Sequence, residues 1–395
     1  MSDTKESPDV LEASTAADSE AEIAERYRTL YQDYVAQIGQ ASILVVGAAG
    51  AGKSSLCNLV LGREVAEVGG GRPVTTAVTP LQVGDLRLYD TPGYETGEDK
   101  QRRFNADIKT LLTRLEDEGE PIDVVWYCVN APVARFTALD ASLVEMFERL
   151  HKPVAIVLTQ VDEASENGCK ELGEAIHAAL PPQGDGKERC FIFESSTDER
   201  LQLNPGLEQL NSWTVEMLDE SRRLSFMAAS RRGIERKLTE GESIVRQTVA
   251  GAFLVGFTPI PMSDAALLTS AQLSMLARLS YVWDLKSLKE LAGGVLVNLI
   301  AQNVGKSLAG NLAKLIPGLG TLTGGLINGS VASAMTYALG AAYNRVCEQL
   351  CLRGLQGQTQ SINELFGERF KAMVAQLFEE YQKDDKPGRH PQDRS

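Results

Sequence analysis

The chain has 395 residues, more than one domain of ordinary size, so we expect two or three domains. Apolar residues make up 43% and charged residues 23% of the chain, which excludes wholesale disorder and collagen-like repeats. The net charge of −14 disfavours nonspecific binding to nucleic acid through overall charge, and we expect no DNA partner. Residues 1–20 carry mostly acidic charge and almost no large apolar side chains, which predicts a disordered acidic tail.

A leading helix and then an alternation of strands and helices are predicted for the first half of the chain. Residues 21–39 place Tyr27, Tyr31 and other large side chains at helical spacing, which predicts an amphipathic helix that packs on the body of the protein. Within residues 40–215, apolar runs typical of strands alternate with helical stretches. The predicted strands are residues 43–46, 86–89, 124–129, 154–158 and 190–193. This alternation predicts an α/β fold with a mainly parallel sheet and helices on both faces.

The composition changes in the second half of the chain. Residues 216–246 predict a long or broken connecting helix rich in arginine and lysine. Residues 247–350 are rich in Gly, Ala, Leu and Val, and they predict an apolar all-α domain. Residues 356–383 predict an amphipathic C-terminal helix, followed by a polar tail over residues 384–395.

A glycine-rich segment after the first predicted strand matches the pattern GxxxxGK[ST]. Glycines let the backbone wrap closely around phosphates and direct its N–H groups at them, and the N-terminus of the following helix adds favourable potential. Lys53 is expected to reach the β- and γ-phosphates and act in catalysis, and the Ser54 hydroxyl is expected to bind Mg²⁺. The predicted nucleotide-binding residues of this segment are Gly47, Ala48, Ala49, Gly50, Ala51, Gly52, Lys53, Ser54 and Ser55.

A second predicted nucleotide motif follows the strand at 86–89, and it consists of Asp90, Thr91, Pro92 and Gly93. The Asp90 carboxylate at a strand end can support the Mg²⁺ shell, and the Gly93 amide can sense a γ-phosphate. Residues 68–80, between the two motifs, are polar and glycine-rich, and they are predicted to become ordered when γ-phosphate and metal are bound. Thr75 or Thr76 would then complete the metal shell and take part in catalysis. Spacing does not decide between them, and either could be an ordinary strand residue.

Two further strand ends carry candidates for base recognition. The strand at 154–158 ends in Thr159 and Gln160, with Asp162 two residues on. A carboxylate there can accept hydrogen bonds from the N1 and N2 donors of guanine, whereas adenine would leave it unpaired. The strand at 190–193 leads into Ser195 and Ser196, where a small-residue turn could place a backbone amide on guanine O6.

These motifs, in this order, resemble the Era- and TrmE-like branch of the translation-factor class of GTPases over residues 40–215. The resemblance implies a Ras-like P-loop domain that binds GTP and GDP with Mg²⁺ and hydrolyses GTP to GDP and phosphate. One departure concerns the base: the family has Asn-Lys-x-Asp where this chain has Thr159 and Gln160, so the loop-bracing amide and the aliphatic stem over the base are altered. Asp162 therefore carries most of the inference of guanine selectivity.

A second departure concerns the rate. Tyr94 stands where Ras-type enzymes have a glutamine that orients the attacking water, so we expect slow intrinsic hydrolysis, stimulated by a partner or by self-association through the GTPase domain. A trans-acting arginine from the basic stretch is one hypothesis, and a solvated or lipid-facing basic helix is the alternative. The candidate arginines are Arg222, Arg223, Arg231 and Arg232.

The apolar half raises the question of a membrane. Residues 315–344 carry no charge and are long enough to span a bilayer, although a helical hairpin buried in a core is the alternative. The sequence FTPIPMSDAALLTSAQLSMLARL at 257–279, with the later IPGLG and TYALGAAY segments, is similar to a helical domain of bacterial proteins of the YcjF type. That resemblance implies membrane association.

The sequence thus predicts a slow GTP-dependent switch coupled to a membrane-associated helical domain at the cytoplasmic face of a membrane, with membrane lipid as a partner. One alternative is a soluble Era-like GTPase in ribosome or RNA assembly. Another is a dynamin-like membrane remodeller or scaffold that assembles on nucleotide.

Overall fold

The computed structural model describes nine stretches of the chain, and its residues form two compact units. The described residues are 22, 24–66, 78–94, 98–181, 191–197, 204–255, 264–285, 329–355 and 368–384. One unit lies within Ile38–Ile234 and holds the motifs predicted to bind GTP, and it is called the GTPase unit hereafter. The other, the helical unit, takes residues from both ends of the chain, within Met1–Gln37 and Glu235–Ser395.

The GTPase unit contains a six-stranded sheet in the order β2-β3-β1-β4-β5-β6. Its strands are β1 Ala41–Gly47, β2 Thr79–Val83, β3 Leu86–Asp90, β4 Val124–Asn130, β5 Val154–Thr159 and β6 Phe191–Ser195. All neighbouring strands are parallel except β2, which pairs antiparallel with β3. The carboxyl ends of β1, β3, β4, β5 and β6 therefore meet at one edge of the sheet.

Helices cover both faces of this sheet. They are α2 Lys53–Leu61, α3 Glu98–Asp117, α4 Ala138–Arg149, α5 Glu166–Ala179, α6 Pro205–Met217 and α7 Glu220–Ala229. Ile43 and Val45 of β1 face the cluster formed with α2, α6 and α7, whereas Leu44 and Val46 face the cluster formed with α3, α4 and α5. This alternation along one fully buried strand confirms the predicted doubly covered, mainly parallel α/β fold.

The structure contains one strand, β2, that the sequence analysis does not predict. It is short, it contains Pro80, and it lies at the edge of the sheet. Because proline cannot donate a ladder hydrogen bond, it is tolerated at such an edge and weakens the strand pattern in the sequence.

The helical unit contains a helix over residues 24–35 (α1), together with α8 Ile234–Val255, α9 Asp264–Val282, α10 Gly329–Leu355 and α11 Glu368–Asp384. The Tyr27 hydroxyl of α1 donates to Ser280 Oγ at 2.7 Å, and Ser280 Oγ is also 2.7 Å from the Tyr343 hydroxyl of α10. All three side chains are buried. A buried polar cluster therefore joins the leading helix to the C-terminal half.

Within the described ranges, the helices lack an apolar stretch of the length that a membrane span requires. Residues 329–344 of the charge-free run belong to α10, where Ala334, Ala338 and Ala342 are fully buried inside the helical unit. Residues 315–328 of the same run lie outside the described residues.

The basic stretch is broken between α7 and α8. Arg232, in the break, is buried and its Nε donates to the carbonyl of Leu59 at 3.0 Å, and Lys237 is also buried. Arg222 forms an ion pair with Asp123 at 2.6 Å. A solvated or lipid-facing position is therefore wrong for Arg232 and Lys237.

Candidate functional site

The segment between β1 and α2 forms a loop whose geometry suits phosphate binding. Gly50 and Gly52 have φ of 77° and 72°, a left-handed conformation that other residues rarely adopt. Gly52 precedes α2 without any side-chain cap hydrogen bond. The first N–H groups of α2 therefore have no side-chain acceptor and are available to an anion.

Lys53, the first residue of α2, is buried and lies back over this loop. Its Nζ donates to the carbonyls of Gly47 at 3.2 Å and Ala48 at 2.9 Å. Burial lowers the pKa of the Lys53 ammonium, and the nearby Asp90 carboxylate opposes that shift. The lysine is thus held in the loop by backbone carbonyls.

Asp90, the last residue of β3, meets Ser54 at the start of α2. The Ser54 hydroxyl donates to Asp90 Oδ2 at 2.7 Å. A hydroxyl and a carboxylate oxygen are hard ligands that suit Mg²⁺, so the residues present fit that ion. Thr75 and Thr76, predicted to complete the metal shell, lie outside the described residues.

The residues after Asp90 fold onto the phosphate loop. Thr91 is fully buried, and its hydroxyl donates to the carbonyl of Val45 at 2.8 Å. Beyond Pro92, a Cβ on Gly93 would lie 2.3 Å from the Ala49 Cα, so only glycine fits there. The Ala49 amide donates to the Tyr94 carbonyl at 3.0 Å. The second predicted motif therefore contacts the phosphate loop directly through its backbone.

The Tyr94 side chain points to α4, a contact that no pattern in the sequence predicts. Its hydroxyl donates to Asp140 Oδ1, which also accepts from the Tyr127 hydroxyl at 2.6 Å. Asp140 is buried and forms a capping box with Thr137 at the N-terminus of α4. Burial and this hydrogen bond raise the pKa of Tyr94, so the residue remains a neutral phenol. The position of the water-orienting glutamine is thus taken by a side chain bound elsewhere.

The guanine-recognition candidates meet at the carboxyl ends of β5 and β6. The Thr159 hydroxyl donates to the carbonyl of Ala51 at 3.0 Å, so it braces the phosphate loop. Asp162 Oδ1 accepts from the Thr197 amide at 2.8 Å, and Oδ2 accepts from the Thr197 hydroxyl. Burial raises the pKa of Asp162, but these two donors lower it by more, so the carboxyl titrates below its ordinary range.

Ser195, the last residue of β6, lies beside Thr159 in the parallel register, and Ser196 contacts Asp162. The Ser196 amide donates to Asn204 Oδ1 at 3.3 Å, and Asn204 Nδ2 donates back to the Ser196 carbonyl at 3.0 Å. Asn204 is buried just before α6 and fixes this turn. Sequence reasoning missed both Asn204 and Thr197.

Asn130, the last residue of β4, is a third residue that sequence reasoning missed. Its Nδ2 lies 3.2 Å from the carbonyl of Gly50 and 2.7 Å from Gln160 Oε1. Gln160 has a left-handed backbone conformation with φ of 59°. One asparagine therefore links the phosphate loop to the segment that runs from Thr159 to Asp162.

A cavity of about 250 Å³ lies between the start of α2 and these base-recognition segments. Its lining includes Ser55, Gln160, Ser195, Ser196 and Thr197. The structure thus brings the predicted phosphate-binding and base-binding residues that it describes to one edge of the sheet, where open α/β sheets bind their ligands.

Comparison with known sequences agrees with this geometry. A family profile described as 50S ribosome-binding GTPase matches residues 42–160, and one described as a domain of unknown function (DUF697) matches residues 221–373. The probable GTP-binding protein EngB of Aquifex aeolicus is 30% identical over 146 residues, which are 36% of this chain and 77% of EngB.

Two other relatives are matched over smaller shares of their length. Magnetosome membrane protein 22 of Magnetospirillum gryphiswaldense is 28% identical over 106 residues, which are 26% of this chain and 54% of that protein. GTPase Era of Clostridium perfringens is 30% identical over 128 residues, which are 31% of this chain and 40% of Era. The expected combination of an Era-like GTPase domain with a YcjF-type helical domain is confirmed. The chain belongs to the family of P-loop GTPases that includes EngB and Era, and it is a guanine-nucleotide-binding enzyme that hydrolyses GTP.

Proposed function

We propose that the chain is a slow nucleotide switch whose GTPase unit reports the presence of a γ-phosphate to a membrane-associated helical unit. The observation that carries the proposal is the backbone contact of Gly93 and Tyr94 with Ala49 of the phosphate loop. A phosphate bound in that loop lies next to this contact, so its arrival or loss changes the position of residues 93–94. Tyr94 then passes the change to α4 through Asp140.

The proposed roles at the site follow from its contacts. Lys53 and the loop amides stabilise the phosphates, because a fixed cation and fixed N–H dipoles favour the charge that develops on them. Ser54 would hold Mg²⁺ together with Thr75 or Thr76, and Asp90 would act on the metal shell through a water. When bound, the ion neutralises phosphate charge. Guanine is the base selected by Asp162, and the turn at 195–196 flanks it.

The hydrogen bond and the ring packing of the Tyr94 side chain support slow turnover of GTP. Its hydroxyl is bound to Asp140, and its ring lies 5.6 Å from that of Phe104, centroid to centroid. It therefore does not orient an attacking water. Faster hydrolysis would need a group supplied by a partner or by self-association through the GTPase unit, in which case the single-turnover rate rises with protein concentration.

We propose that the helical unit associates with a membrane at its cytoplasmic face, and two observations support the association with a membrane. One relative is named a magnetosome membrane protein. The C-terminal half of this chain has an apolar composition and matches a family of unknown function. We propose that the chain is divided into a tail (1–20), a leading helix (21–39), the GTPase domain (40–215) with α7 of the basic connector (216–246) packed on its sheet, an apolar helical domain (247–350), a C-terminal helix (356–383) and a tail (384–395).

The switch is tested by hydrogen exchange of residues 91–94 and of the first turn of α4, with GDP and with a nonhydrolysable GTP analogue. We expect both segments to differ between the two nucleotides in the wild type, and the α4 difference to vanish in Tyr94→Phe. Tyr89→Phe, which removes a hydroxyl from β3 without involving Asp140, should keep it. Identical exchange of α4 with the two nucleotides in the wild type would refute the switch.

Membrane association is tested separately by flotation of the full chain with neutral vesicles and with vesicles containing anionic lipid. Binding to either supports the proposal, and stronger binding to the anionic vesicles would indicate headgroup attraction. Failure to float with both would refute a direct lipid contact.

A further inference from the structure

The amide that braces the phosphate loop against the base-recognition segment comes from a different strand than the family motif suggests. The Era-like motif has Asn-Lys before its x-Asp, and this chain has Thr159 and Gln160, so the amide expected at the end of β5 is missing. In the structure, Asn130 of the neighbouring strand β4 stands directly beside Thr159 in the parallel register. It carries an amide at that same edge of the sheet.

The orientation of the Asn130 amide is fixed by its partners. Its Oδ1 accepts from the backbone N–H of Val133 at 3.0 Å, and a backbone N–H can only donate. Its Nδ2 therefore faces the carbonyl of Gly50, 3.2 Å away, and Gln160 Oε1, 2.7 Å away. An NH₂ group has two hydrogens, so it can serve both oxygens at once.

Two consecutive carbonyls of the phosphate loop are thus held from two strands. Gly50 is held by Asn130 from β4, and Ala51 is held by the Thr159 hydroxyl from β5. In this arrangement Gln160 accepts from Asn130 through its Oε1, and Asn130 is the side chain that donates to Gly50.

We propose that Asn130 is the positioning residue that fixes the phosphate loop relative to the guanine-recognition segment, in place of the missing Asn-Lys pair. The inference rests on the proposed role of Asp162 in guanine recognition. Asn130 acts on the nucleotide through the loop and not on the base itself. Its loss should therefore weaken the binding of all nucleotides alike and leave the choice of base unchanged.

The test uses the full chain and the release of GDP labelled with a fluorescent group. Asn130→Asp keeps the acceptor for Val133 but places a carboxylate oxygen against Gly50 and Gln160, so we expect GDP release to accelerate about tenfold or more. Gln209→Glu, the same chemical change at an exposed position of α6, should leave release unchanged. If Asn130 served only to support Val133, Asn130→Asp would behave like the wild type, and that result would overturn the proposal.

A rescue experiment adds a second, independent outcome. Asn130→Ala removes the donor to Gly50, and Gln160→Lys replaces the neighbouring amide with an ammonium group, which only donates. We expect Asn130→Ala with Gln160→Lys to release GDP more slowly than Asn130→Ala alone. Faster or equal release would count against the proposal. Because Asn130→Ala also removes the acceptor of Val133, the Asp variant decides alone if the Ala variant does not fold.

A base comparison separates this proposal from the role of Asp162. Inosine diphosphate lacks the N2 donor of GDP, so the ratio of the two affinities reports base recognition. We expect this ratio to be unchanged in Asn130→Asp and reduced in Asp162→Ala. A ratio that falls in Asn130→Asp would assign Asn130 to base recognition and overturn the positioning role. A wild-type ratio near one would instead refute the proposed role of Asp162.

Discussion

Replacing Asp140 with alanine should lower the free energy of unfolding of the GTPase unit by about 3 kcal/mol. The Tyr127 hydroxyl is fully buried and would lose the acceptor that lies 2.6 Å away, which costs about 2 kcal/mol. Helix α4 would also lose the carboxylate of its capping box, to which the Thr137 amide and hydroxyl donate, and this adds about 1 kcal/mol. The contact that holds Tyr94 would disappear as well.

Native-state hydrogen exchange of the β4 and α4 amides measures this change in the full chain. Asp107→Ala, the same substitution at an exposed position of α3, is the matched control and should shift the free energy by less than about 0.5 kcal/mol. Tyr127→Phe removes the hydroxyl that has lost its acceptor in Asp140→Ala. The double variant Asp140→Ala, Tyr127→Phe should therefore lose about 1 to 2 kcal/mol less unfolding free energy than the sum of the two single variants. A loss below about 1 kcal/mol in Asp140→Ala, or strict additivity, would refute the reasoning.

Two further predictions concern the nucleotide site. Gly93→Ala should slow single-turnover GTP hydrolysis at least about tenfold, because its Cβ would meet backbone atoms of Ala49 in the phosphate loop. Gly173→Ala, in open space on α5, is the control, and equal rates in the two variants would contradict the close approach. The donors of Thr197 hold the pKa of Asp162 below its ordinary value, so the carboxylate stays charged as the pH falls to 5. The ratio of GDP to ADP affinity should therefore be constant from pH 8 to pH 5, and a decline across that interval, measured by titration calorimetry, would show that the carboxyl titrates higher.

The predicted nucleotide-binding motifs could be recognised from the sequence because each of them is formed by residues close together in the chain. The loop that ends in Lys53 and Ser54 combines glycines, a cation and a hydroxyl at fixed spacing between a strand and a helix. Asp90 and Asp162 each come at or just after the end of a buried strand, and parallel strands place such ends together. The spacing of apolar residues along the predicted strands and helices indicated the sheet of the GTPase unit and the helix layers on its two faces.

The residues that were missed act across long separations in the chain. Asn130 is a single asparagine at a strand end, and only the pairing of β4 with β5 places it beside Gln160. Tyr94 and Asp140 are 46 residues apart, and no pattern in the sequence joins them. The leading helix carried a helical period, but its partner Ser280 lies 253 residues from Tyr27. Such contacts depend on tertiary packing, which local patterns do not encode.

The central claim is that Asp162 reads guanine in a site that binds and hydrolyses GTP. Asp162→Asn tests it most directly, because an asparagine amide can donate to the O2 of xanthine where the carboxylate accepts from the N2 of guanine. We expect the wild type to bind GDP and to reject ADP and xanthosine diphosphate. We expect Asp162→Asn to lose about 100-fold in GDP affinity, from two hydrogen bonds to a charged acceptor, and to prefer xanthosine diphosphate. Unchanged GDP affinity in Asp162→Asn, or equal binding of ADP by the wild type, would contradict the account.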